Sequence, residues 1–458
     1  MLASKSAGRN PTQVIVERES RLQTLVTVYI TSGLVFLLLP GTFLGVWNLL
    51  SISARHTVAM LPAAWIQAHG HAQIFGWLGT FILGIGFYSL SKMGNLPAFA
   101  VSRGWLAYFL WTAGVLLRWL TGVASHPWLP ALPIAAVLEL VGFLVFFRTV
   151  SGHRPAPSAT PGPTPSAKPA WMLIVIASTT GFLLTMLVNL GVSLYVAARG
   201  AGAAVPDNLD QRLLMLPVWG FLVPTVWGFN ARWLPTFLGL RAPRNAWLYA
   251  ACLSAFAAVA ASAAGFPLLA ASLLLPATAA SITGLRIFEP AIQPAKLNGV
   301  HSSFPAFVRL AYVWMIVATS LGVFAALADR HHGIWGASRH AITVGFLAAM
   351  VFAIGQKVLP AFCGARVLFS PATMFASLVL LNFGCALRVV SEVLAYENYV
   401  PWMWYVLPVS AIVELTAVAV FAANLVITFL RPPAHLVTLQ SLKAATRSQT
   451  RHSRSVWM

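Results

Sequence analysis

HGHAQIFGW at positions 69–77 and RHAITVGF at positions 339–346 each set a histidine inside an apolar stretch with the same downstream register. His71 precedes Gly76 as His340 precedes Gly345; Ala72 and Ala341 follow the histidines, and Trp77 and Phe346 follow the glycines. What surrounds these motifs decides the fold class. Apolar runs of about 20 residues, the length that crosses a bilayer, recur near 24–47, 67–90, 103–123, 130–150, 171–198, 212–235, 246–264, 266–286, 304–327, 340–362, 371–391 and 401–430. They predict an all-α integral membrane protein of about twelve transmembrane helices, with Gly265 dividing the least distinct pair. Composition agrees: 59% hydrophobic residues, 9% charged residues and a mean hydropathy of +0.79 exclude an ordinary soluble globule.

Working outward, the chain repeats itself. GVLLR (114–118) follows the His71 stretch and GCALR (384–388) follows the His340 stretch, each late in the next apolar span. LPIAAVLEL (132–140) is then answered by LPVSAIVEL (407–415), which puts Glu139 and Glu414 at the same place. Histidine, arginine and glutamate recur in one order, so the first four and last four spans read as homologous units. A middle unit fits more faintly. VWGFLVPTVWGFNARWLP (218–235) aligns with VGFLAAMVFAIGQKVLP (344–360), which matches Gly220 and Phe221 to Gly345 and Phe346 and leaves Met215 where the histidine would stand. The expected domains are a first four-helix unit with an N-terminal cytoplasmic segment (1–150), a Pro/Ser-rich cytoplasmic linker (151–170), a middle unit (171–290), a C-terminal unit (291–430) and a basic cytoplasmic tail (431–458).

Charge orients this bundle. With both termini inside, Lys92 and Arg103, then Arg148, Arg154 and Lys168, then Arg232, Arg241 and Arg244, then Arg286 and Lys296, then Lys357 and Arg366 share one face. The tail adds Arg431, Lys443, Arg447, Arg451 and Arg454, whereas the opposite loops carry Arg55, Arg199, Arg212, Arg330 and Arg339. This positive-inside pattern implies a multi-pass protein of a bacterial-type inner (plasma) membrane with cytoplasmic termini. The net charge of +19 then reports topology and contact with anionic membrane lipid, and no nucleic-acid partner is expected. Residues 1–20 are polar, so no cleavable signal peptide is expected. Cys252, Cys363 and Cys385 fall in apolar spans without metal-type spacing.

A histidine in lipid needs a partner, and a metal or haem iron is the partner that rewards two at matched positions. A hydrogen bond from each imidazole to a neighbouring helix is the competing reading. Three four-helix units, with histidines early in the second and tenth spans, resemble subunit I of the haem-copper oxidase and nitric oxide reductase superfamily. Within it, the run from His69-x-His71 to Phe75-Gly76, and His340-Ala-Ile-Thr-Val-Gly345, are similar to the NnrS family of haem-containing membrane proteins linked to nitric oxide stress. Ala72-Gln73 stand where that family usually carries Glu-Met. The resemblance covers nearly the whole chain in organisation. It implies that His71 and His340 ligate one low-spin haem iron from opposite faces, at a similar shallow depth on the outer side. Two axial imidazoles would make the iron six-coordinate, which suits electron transfer.

His69 lies about 200° around the helix from His71, so one iron cannot face both. A second metal, a haem propionate and a plain interfacial role all stay open for it. Arg118 and Arg388, at the same depth, are candidate propionate partners, with an i,i+4 pair between Arg388 and Glu392 as the competing account. Glu139 and Glu414 are candidates for proton handling or for hydrogen bonds between helices. His56, His126, His331 and His332 fall in expected outer loops and read as solvated, with a copper site on His331 and His332 as the alternative.

The spans at 212–235 and 246–264 contain no histidine. In the reducing members of the superfamily that the chain resembles, those spans supply the copper ligands beside a high-spin haem. The reduction centre is therefore expected to be absent, whatever the architecture. The expected function is a haem-binding membrane protein acting in nitric oxide tolerance or respiratory electron transfer, with an electron donor or second subunit beside it. The sequence names no catalytic residue; an enzyme on this scaffold would be an oxidoreductase. The alternatives are a membrane transporter or scaffold with a polar path through its bundle, and a divergent oxygen or nitric oxide reductase subunit.

Overall fold

The computed structural model describes residues 11–93, 101–124, 128–151, 169–365 and 367–431. His126, Arg154, Lys168, Arg366, nearly all of the expected linker and the tail cations Lys443, Arg447, Arg451 and Arg454 lie outside the described residues. Twelve helices are long and apolar enough to cross a membrane. They are α1 (Glu17–Arg55), α2 (Ala63–Ser89), α3 (Val101–Ala124), α4 (Ala131–Ser151), α5 (Ala170–Arg199), α6 (Asp207–Leu238), α7 (Asn245–Ala263), α8 (Pro267–Leu285), α9 (Phe304–Ala328), α10 (Gly333–Phe362), α11 (Pro371–Tyr396) and α12 (Pro401–Leu430). Helices satisfy every backbone polar group within themselves, the condition that lipid imposes. Gly265, at φ +87°, separates α7 from α8 where the sequence divides.

Several helices begin earlier than hydropathy suggests, α2 and α10 among them. The first turns of α2 carry Gln67 and His69, and those of α10 carry Ser338 and Arg339; these lower the apolar signal without interrupting the helix. His71 and His340 consequently stand about two turns inside their helices instead of at their mouths.

Sequence neighbours pack as spatial neighbours. The tightest hairpins are α3 with α4, α7 with α8 and α11 with α12, while α12 returns to pack on α1 and closes the bundle. Helices α2, α6 and α10 are the inner ones: 78%, 67% and 78% of their apolar windows are buried, against 28–50% for the rest. A side chain on any of these three therefore points into protein from either face. Each inner helix also widens into π-helix at one register, Ala72–Gly79 after His71, Leu216–Leu222 after Met215 and Ala341–Ala348 after His340. Such wide turns concentrate at functional positions. In α1 the π-helical stretch Leu37–Phe43 surrounds Pro40, which has no N–H to give to an α-helical ladder.

Glycine sets how closely the glutamate-bearing helices approach. A Cβ at Gly114 would stand 2.8 Å from Ala135 O and from Glu139 Cγ, and one at Gly384 would stand 2.7 Å from Glu414 Cγ. Removing the side chain lets α3 meet α4, and α11 meet α12, at backbone range. At the far end of the bundle Arg244 and Arg286 hold Glu289 at 3.0 and 2.7 Å. The hydrogen bond from Arg286 keeps that carboxyl below its ordinary range.

Candidate functional site

His69 is seated against α1. Its Nδ1 lies 2.8 Å from Gly41 O, and its ring covers Gly45, where a Cβ would come within 2.6 Å of Cε1. A carbonyl can only accept, so Nδ1 carries the proton and Nε2 keeps its lone pair. The ionisable groups facing His69 are His340 of α10 and Arg388 of α11. His340 repeats the arrangement: its Nδ1 is 3.0 Å from Gly336 O, one turn back in its own helix, and 3.2 Å from Glu392 Oε2. Its ring keeps 27% of its surface open.

Around this pair the polar groups are deeply placed and incompletely satisfied. Arg388 Nη2 donates to Glu392 Oε1 at 3.2 Å, while Arg388 Nη1 is buried without a hydrogen-bond partner. Glu414 Oε1 is also buried without one, and its ionisable neighbours are His340, Arg388 and Glu392. Orphaned groups of this kind are expensive in a membrane interior and mark places where a bound group completes the bonding.

A second cluster lies on the other face of α2. His71 Nε2 is 2.7 Å from Glu139 Oε1, with the imidazole 8% and the carboxylate 0% exposed. Asn189 Nδ2 of α5 donates to the other carboxylate oxygen at 2.9 Å. Arg118 is buried beside Glu139 and Asp210, and its Nε has no partner.

The five residues singled out from sequence thus divide. His340 and Arg388 lie within electrostatic range of His69, while His71 and Arg118 belong with Glu139. His71 holds Glu139 of α4 through Nε2, so a ligand shared with His340 would have to be reached through its Nδ1. The i,i+4 pair between Arg388 and Glu392 does form, yet it leaves Nη1 free for a further acceptor.

Sequence reasoning missed that Glu392 reaches His340 as well as Arg388, and that Glu397 accepts from the backbone N–H of Arg330 and His331 at 3.4 and 3.2 Å. The one-turn spacing from Arg388 announced only the first contact of Glu392. His331 and His332 are exposed, and exposed His56 stacks on Trp404 at 5.3 Å. Among the described residues no three His, Cys, Asp or Glu side chains come together as a metal-ion site. Ser338, one turn face away from His340, donates to Ala318 O at 2.8 Å.

Residues 170–428 match the family described as a domain of unknown function, DUF8744; the match includes His340, Arg388 and Glu414 and stops short of His69 and His71. No curated protein matches the chain in sequence. Among solved structures, a haem-copper terminal oxidase determined as a dimer by cryo-electron microscopy is similar, with a TM-score of 0.62 at 12% identity over 90% of this chain and 85% of that one. The likeness is one of fold: an all-helical membrane protein with the architecture of a haem-copper oxidase.

Proposed function

The chain belongs to the DUF8744 family, and from its oxidase-like fold and its paired histidine seats we propose that it is a membrane haem protein whose iron is held between His69 of α2 and His340 of α10. One observation carries this reading. Each of these imidazoles is anchored through Nδ1–H to a backbone carbonyl, which orients the ring and leaves Nε2 as the ligand atom. His71 engages Nε2 with Glu139 and has only Nδ1 left as a ligand atom. Arg388 Nη1, buried and unpartnered, supplies a cationic seat for a propionate.

Haem bound here would supply one-electron exchange between ferrous and ferric iron. His69 and His340 would hold it, with Arg388 beside them. Two axial imidazoles leave no open iron position, and α6 and α7 bring no imidazole for a second metal. The role that fits is electron transfer or nitric oxide tolerance of the kind associated with the NnrS family, in a bacterial-type inner membrane with cytoplasmic termini. An electron donor or second subunit would dock at the histidine end. The three four-helix units remain the organisation we favour, supported by the common register of the π-helical stretches.

The optical spectrum of the purified protein tests this. We expect a six-coordinate low-spin haem that His69→Ala or His340→Ala abolishes and His71→Ala retains. Retention in both of the first two variants would overturn the assignment, and loss in His71→Ala alone would return the site to His71. Wild-type protein free of haem would favour a polar path through the bundle, for which the buried His71 and Glu139 and the half-buried Asn189 are the natural lining.

A further inference from the structure

We infer that Glu392 is a positioning residue that sets the electron affinity of the iron through His340, an inference that rests on the haem reading above. The ring Nδ1 of His340 hydrogen-bonds to Gly336 O at 3.0 Å, an ordinary partner one turn back in the same helix. Glu392 Oε2, from the neighbouring helix α11, stands 3.2 Å from the same nitrogen on a side chain only 5% exposed, and is buried with no hydrogen bond of its own.

A carboxylate buried among apolar helices is costly, and pairing with Arg388 accounts for only one of its oxygens. The second oxygen is turned to the imidazole. Its seat also requires the absence of a side chain across the helix contact, since a Cβ at Gly336 would collide with Glu392 Oε1. The bare surface of Gly336 and the approach of the second oxygen to His340 thus seat the whole carboxylate between α10 and Arg388.

The consequence is electronic. An imidazole whose N–H is drawn toward a carboxylate is more basic at its other nitrogen and donates more strongly to a metal there. Stronger donation stabilises ferric over ferrous iron and lowers the midpoint potential. His69 has only the neutral carbonyl of Gly41 in the corresponding place. The two imidazoles would therefore be unequal donors, the stronger on α10 and an ordinary one on α2.

Redox titration and the ferric low-spin electron paramagnetic resonance spectrum of the full-length, haem-loaded protein decide the matter. In Glu392→Gln we expect the ferrous-to-ferric ratio at a fixed potential to rise by a factor of about ten, equivalent to about 59 mV for a one-electron couple, with a changed g-value spread and full haem content. Gly336→Ala keeps the charge and displaces the contact, so its potential should rise as well. An unchanged potential in loaded Glu392→Gln overturns the inference. A rise there with none in Gly336→Ala also overturns it, since the effect is then one of net charge. Absence of haem from the wild-type protein would instead sink the parent reading, so the two failures are distinguishable.

Discussion

At the scale of the residue, His69 and His71 stand two positions apart on one helix and meet opposite surroundings. His69 gives its proton to a carbonyl and keeps a free nitrogen; His71 meets a carboxylate that is itself held by Asn189. The arginines divide in the same way, and this makes them informative. Replacing Arg388 by Leu removes a cation beside the proposed iron and frees Glu392, both of which favour the ferric state, so the midpoint potential should fall or haem be lost. Arg118→Leu should leave potential and loading near wild type in a redox titration, because its neighbours are Glu139 and Asp210. Glu139→Ala takes one partner from a buried pair, a change that costs about 3–5 kcal/mol. Thermal unfolding in detergent should show that loss, while the haem spectrum of the surviving protein stays six-coordinate.

At the scale of the element, most of the helices are legible as apolar runs, and the site residues are legible as polar exceptions within them. Two things are not. The early starts of α2 and α10 are masked by their polar first turns, and the π-helical widening after His71, Met215 and His340 leaves no trace in hydropathy, because the same side chains suit either winding. The short GVLLR and GCALR motifs do carry a packing message, since Gly114 and Gly384 are where the hairpins close upon Glu139 and Glu414. Gly384→Val should cost about 1–3 kcal/mol by overpacking. It should also push α12 away from α11 and so reduce haem retention through Arg388 and Glu392. Gly114→Val should cost a comparable amount of stability with haem content kept. Equal haem loss in the two variants, measured per folded protein, would show that the hairpins do not act on separate sites.

At the scale of the whole molecule, the closed ring of helices gives a reason to look for separate surroundings behind the two like motifs. When like units are arranged about an axis, equivalent residues face successive gaps, each rotated from the last, and not one gap in common. His71 and His340 are equivalent in sequence and so look into different gaps, toward α4 and α5 in one case and toward α11 and α12 in the other. His69, on the opposite face of α2, is the histidine of that helix within electrostatic range of His340. The same reasoning applies to the gap next to α6, where Met215 holds the register of the repeat histidine, while Ser338 of α10 donates to Ala318 O of α9. That gap offers neither a ligand for a second iron nor a set for copper, so purified protein given a reduced artificial donor should show no sustained reduction of oxygen or nitric oxide. Gas consumption followed electrochemically, after contaminating oxidases are removed, is the measurement. Turnover that persists in wild type and disappears in His71→Ala would sink this view and make the gap lined by His71 and Glu139 the place of a second metal.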